Sequence, residues 1–192
     1  MRFWLGLALT ALSAAAQAQE VYDFDPQHTE VIASWNHLGF SRQRVEFDVA
    51  DGTLILDEAD PTQSSVRVSF QTAGLRSGVP LFDEHLKSKD WFDAAAHPEI
   101  TFESRSVTLG PETGDGRRTA QVLGDLTIKG QARPVTLDVV LNALGDHPIA
   151  RRKSAGFSAR TTVNRSEWGL DAYAPAVSDA VEIIIETEAN LR

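Results

Sequence analysis

The side chains that could do chemistry are few and widely spaced. Five histidines, His28, His37, His85, His97 and His147, are the candidate bases and metal ligands. None falls in an H-x-H or H-E-x-x-H pattern, so no pair is set at metal-ligand spacing. His28 and Glu30 share a face if extended, but two ligands do not complete a site. The chain has no cysteine, which removes thiol nucleophiles, thiolate metal sites and haem attachment together. No G-x-S-x-G elbow presents a serine nucleophile. Gly114-Asp115-Gly116 reads as a hairpin turn and not as a phosphate loop. Arg151-Arg152-Lys153 reads first as a solvated strand end, with an anionic head group as the alternative. These residues point to no catalytic set, no metal and no cofactor.

The bulk properties exclude further classes. The formal charge is -9, and without Arg2 it becomes -10. An acidic chain lacks the basic face that binds nucleic acid or an acidic membrane surface. Residues 1–18 hold Arg2, an apolar run from Phe3 to Leu12 and small residues ending Ala16-Gln17-Ala18. That order predicts a cleaved signal peptide over 1–18, hence export to the periplasm and one domain over 19–192. The apolar run is shorter than the roughly 20 residues a membrane anchor needs. No later segment is apolar enough for stable membrane insertion.

Positioning falls to strands, because the apolar residues recur with a period of two. Val66, Val68 and Phe70 alternate with Ser65, Arg67 and Ser69, and Val135, Leu137, Val139 and Leu141 repeat the pattern. Turn signals at Asp51-Gly52, Gly130-Gln131 and Gly145-Asp146-His147-Pro148 separate such runs. Eight strands are predicted, near 30–38, 43–56, 63–72, 98–109, 118–129, 133–144, 154–164 and 178–189. Short connections and long strands favour an all-β, eight-stranded antiparallel up-and-down barrel, with a two-sheet sandwich as the alternative. Pro80 to Lys89 breaks the rhythm. Phe82 and Leu86 stand four apart, Asp83 and Glu84 come early and Lys87 and Lys89 late, so the segment predicts a short helix between strands three and four. The small residues Ala33, Ser34, Gly124, Gly156, Ser158 and Ala159 carry two readings: space left for a ligand, or a match to barrel taper.

Four stretches, in order, carry a family resemblance. They are DPQHTEVIASWNHLGFS (25–41), DEHLKSKDWFD with HPEITF (83–102), LTIKGQARPVTLDV (126–139), and FSARTTVNRSEWGLD with VSDAVEIIIE (157–186). Together they resemble the YceI-like polyisoprenoid-binding family.

That resemblance implies a lipocalin-like barrel enclosing one long isoprenoid, quinone-like or fatty-amide chain, a periplasmic home and no catalytic activity. The bound isoprenoid-type lipid is then ligand and partner in one. Polar candidates for its head group are His37, His85 on the helix and Arg165; apolar lining candidates are Trp35, Phe40, Leu86, Trp91, Phe92 and Trp168. The chain departs from the family pattern at Gln43 and Val45, and at Phe82, where members often carry arginine. The lost cation favours a neutral head group. Two other readings stay open: an enzyme acting on a lipid head group with His37 or His85 as base, and a stress-response interaction module with a structural lipid. The sequence also leaves a homodimer open.

Overall fold

The computed structural model describes residues 19–192, so the signal expected over 1–18 lies outside the described residues. The elements are β1 (Glu20–His37), β2 (Ser41–Phe47), β3 (Val49–Leu56), β4 (Ser65–Gln71), α1 (Pro80–Lys87), β5 (Glu99–Leu109), β6 (Thr119–Ile128), β7 (Gln131–Asp146), β8 (Lys153–Asn164) and β9 (Ala180–Leu191). Every neighbouring pair is antiparallel, and β9 returns to pair with β1, so the sheet closes. β2 and β3 are one strand position interrupted at Asp48: β1 pairs with β2 through Val31–His37 and with β3 through Glu20–Asp23. Nine segments therefore make an eight-stranded barrel. At the break, Arg76 bridges to Glu46 by two backbone hydrogen bonds and reaches the Asp48 carboxylate, covering the second edge of β2.

Closure gives every strand an inside, and the alternation decides which residues occupy it. On β6, Val122, Gly124, Leu126 and Ile128 are buried, while Gln121 and Leu123 face out. Longer strands keep this phase through bulges. The register of β5 against β6 slips between Ser104 and Ser106, and that of β7 against β8 between Leu141 and Ala143. Each extra residue turns Val107 and Leu109, or Leu144, back to the inside after an even count would have pointed them out.

The largest difference from expectation is at the start. β1 begins at Glu20 and not near residue 30, because Asp25-Pro26-Gln27-His28 is a bulge within the strand, between Phe24 and Thr29. Tyr22 is fully buried beside Leu56, Ala155 and Ala189. The helix lies between β4 and β5 as expected, but it ends at Lys87, with Lys89 beyond it. Pro80 opens it, and Asp83 accepts the Ser77 backbone N–H at 2.7 Å.

Gly124 shows how closely part of the interior is packed. A Cβ there would lie 2.5 Å from the Phe102 ring and 2.6 Å from the Glu103 carbonyl oxygen. The second contact is backbone and cannot rotate away. Gly124→Ala is expected to cost about 1–3 kcal/mol, measured by urea unfolding.

Candidate functional site

The inward faces do not fill the barrel. They leave a cavity of about 310 Å³ lined by residues of all the strands. On β9 the lining runs from Val181 through Ile183 and Ile185 to Thr187, about 20 Å at roughly 3.3 Å per residue. Across the barrel stand Ile100, Phe102 and Val107 of β5, and two strands along from β9 stand Val135, Leu137, Val139 and Leu141 of β7. The lining is aliphatic and aromatic, the surface against which a long hydrocarbon loses the most contact with water.

One end is closed by α1 and by the segments on either side of it. Leu86 and Trp168 are each 1 % exposed, and Trp91 and Leu170 are buried beside them. Phe92 sets its ring edge-on to Phe47 at 5.9 Å. The polar edges of this plug are satisfied. The Trp168 Nε1 donates to the Leu126 carbonyl at 3.1 Å, and the Trp91 Nε1 donates to His85 Nε2 at 2.8 Å. Arg165 is buried and donates to the carbonyls of Ser178, Leu170, Ala172 and Val177, with its guanidinium 5.4 Å from the Trp91 ring centre. Burial pushes its pKa down, partly offset by Asp179 and Asp171. Arg165 thus ties loop 169–178 over the barrel end.

Six of the nine expected site residues meet at this end. Trp35, Leu86, Trp91, Phe92, Arg165 and Trp168 all line the cavity. Three do not. Phe40 is 91 % exposed at the β1–β2 turn, where Leu38 and Gly39 adopt positive φ and swing it outward. His37 ends β1 in a separate shallow depression with Tyr173 and Val177. His85 is exposed, stacks on Phe82 and orients Trp91 from outside. Of the small residues, Ala33 and Ala159 line the cavity; Ser34 and Ser158 point outward to Arg42 and Glu186, and Gly124 makes room for Phe102. Sequence reasoning passed over most of the aliphatic lining, although listing the inward phase of each strand identifies it. Losing the Arg165 fork strands several carbonyls at once. Arg165→Met is expected to cost about 3 kcal/mol and to speed amide exchange at Val177 and Leu170.

At the opposite end the charges are paired. Lys153 donates to Glu20 at 2.6 Å and pairs with Glu58, which separates it from the exposed Arg151 and Arg152. The β1 bulge places His28 Nδ1 3.0 Å from Asp25 Oδ2, and one ligand atom from each of Asp25, His28 and Glu188 lies within 4.8 Å of the others. Glu188 of β9, and not Glu30, is thus the further carboxylate beside His28. Among the described residues this trio has the donor set of a cation site, but Asp25 is committed to His28 and to the Gln27 N–H. The hydrogen bond to Asp25 raises the His28 pKa above 6.5, and the same bond lowers that of Asp25 below 3.8. The pair is complete between those shifted values. Its contribution fades as pH rises through the raised imidazole value, or falls through the depressed carboxyl value. NMR titration should place the His28 midpoint above 6.5 and show it falling in Asp25→Asn.

Comparison with known proteins supplies the family. The chain is 34% identical over 184 residues to a UPF0312 protein of Pseudomonas syringae pv. syringae, covering 96% of this chain and 92% of that protein. It is 35% identical to a UPF0312 protein of Pseudomonas putida over the same shares. Among solved structures, Burkholderia cenocepacia BcnA matches with a TM-score of 0.74 and 25% identity, over 88% of this chain and 100% of that one. A polyisoprenoid binding domain from Saccharophagus degradans matches with a TM-score of 0.63 at 9% identity, over 89% and 98%, a likeness of fold. The YceI-like domain profile matches residues 22–189, Tyr22 at the start of the barrel to Ala189 at its close, and the chain belongs to that family.

Proposed function

We propose that this chain carries one long apolar lipid, of the polyisoprenoid, isoprenoid quinone or fatty amide class, within its barrel and without chemical change. The observation that carries the reading is the apolar lumen, about 310 Å³, plugged at the α1 end. A closed barrel with a filled interior gains stability from packing, so lining left without partners costs contact energy unless another molecule supplies it. Each buried methylene contributes about 0.8 kcal/mol. Fifteen of them give roughly 12 kcal/mol before association and ordering costs. Tight binding therefore requires little polar contact. The Saccharophagus degradans domain, described as polyisoprenoid binding, supports the ligand class by its shared fold. The order of charge, apolar run and small residues over 1–18 supports a periplasmic setting. His37 and His85, the two candidate bases, stand outside the lumen lining, which favours carriage over catalysis.

The test is to express the full chain, purify it from the periplasmic fraction and extract it for mass spectrometry. A stoichiometric apolar lipid is expected; recovery of none would sink the reading. Ala33→Phe with Ala159→Phe adds two rings to the lumen and none to the surface. That double variant should fold as a barrel by circular dichroism and lose most of the extracted lipid.

A further inference from the structure

The two ends of the lumen differ in exposure and polarity. Along β5 the inward side chains open progressively, from Ile100 at 6 % exposed to Leu109 at 53 %. On β6, Ile128, Leu126 and Val122 are buried, Ala120 is half-buried and Arg118, just before the strand, is exposed. The mouth therefore lies at the end away from α1, on its β5–β6 side, while Tyr22, Leu56, Ala155 and Ala189 close the other side of that end. Polar lining collects there: Glu58, Ser64, Ser65, Arg118 and Thr119 come from the β3–β4 and β5–β6 connections and their edges. Most of these are already engaged. Glu58 is paired with Lys153, Ser64 Oγ accepts the Asp57 N–H, and Thr119 Oγ1 donates to the Pro111 carbonyl. The adjacent Arg117 is held by Asp115 and Asn142. Among the described residues, no side-chain hydrogen bond or ion pair engages the Arg118 guanidinium.

We infer that the lipid lies tail-inward, with its end against the aromatic plug and an anionic head group, phosphate or carboxylate, on Arg118 at the mouth. This rests on the lipid-carrier reading, adds an orientation to it and selects its anionic members over the neutral quinone and amide, against the neutral head group expected from Phe82. It reverses the expectation that His37, His85 and Arg165 hold the head group. Two of those lie outside the lumen, and the third is consumed by four carbonyls. A planar guanidinium with free N–H groups matches a carboxylate or phosphate by paired hydrogen bonds. An alcohol offers it far less.

The three described tryptophans, Trp35, Trp91 and Trp168, all line the closed end, so their fluorescence reports which end of a ligand reaches them. The test uses the full chain carrying Trp4→Phe, stripped of lipid, with two probes: hexadecanoic acid brominated at the terminal carbon, or at the carbon beside the carboxyl. Strong quenching by the first and little by the second is expected. Arg118→Ala should weaken hexadecanoate about tenfold and leave hexadecanol unchanged; Arg117→Ala should change neither. Stronger quenching by the carboxyl-end bromine, equal quenching by both, or equal loss of acid and alcohol in Arg118→Ala would overturn the orientation while leaving carriage intact. If the stripped protein takes up neither acid nor alcohol, the carrier reading falls with it.

Discussion

The pairing of β9 with β1 is the constraint on which the remaining features depend. An open sheet of these long strands would expose two edges and could lay its apolar face against a helix or a second sheet. Once Thr29–Ser34 takes Glu182–Thr187 as its partner, the sheet closes, the outer edge of β2 is left to the Glu46–Arg76 bridge, and the apolar face is turned upon itself. Eight strands set a circumference that the side chains here do not fill. The lumen is thus a geometric result of closure, with Ala33 and Ala159 widening it where larger residues would have narrowed it. α1 can seal one end because it is inserted between β4 and β5, whose adjoining termini both lie there.

Much of this was legible in the residues because burial on one face imposes a period of two. β4 and β6 to β9 could be read directly from their alternation, and α1 from the Phe82–Leu86 spacing behind Pro80. The first ten residues of β1 were not. A proline and two turn-forming neighbours read locally as a break; they are an unpaired bulge, and it is the pairing of Glu20–Asp23 with β3 and of Tyr22–Phe24 with β9 that carries the strand back beyond them. Bulges at Arg105 and Asn142 are likewise invisible to a local pattern, since each corrects the phase of residues further along the strand.

The site was legible in a different degree. Trp91 and Trp168 follow from the aromatics beside the helix and before Gly169, and both reach the plug. Phe40 shares their residue type but sits on a turn with positive φ, where the backbone and not hydrophobicity decides its direction. Arg165 shows the same limit for charge. Its type suggests an anion, yet the fold surrounds it with carbonyl oxygens from its own loop. No residue pattern announces that loop 169–178 will curl back over the guanidinium.

The two ends are also held by different kinds of force. At the open rim, Lys153 with Glu20 and Glu58, Asp25 with His28, and Arg192 with Asp23 are ionic contacts with a solvent-exposed component. Such contacts are screened by salt and dissolve when the acids protonate. The Arg165 knot is built on neutral carbonyl acceptors that do not titrate and is shielded from counterions by burial. Acid or high ionic strength should therefore loosen the barrel from the mouth downward, with the plug the last part to give. A molecule crossing between compartments of different acidity would have its rim relaxed by the medium while its floor stayed shut.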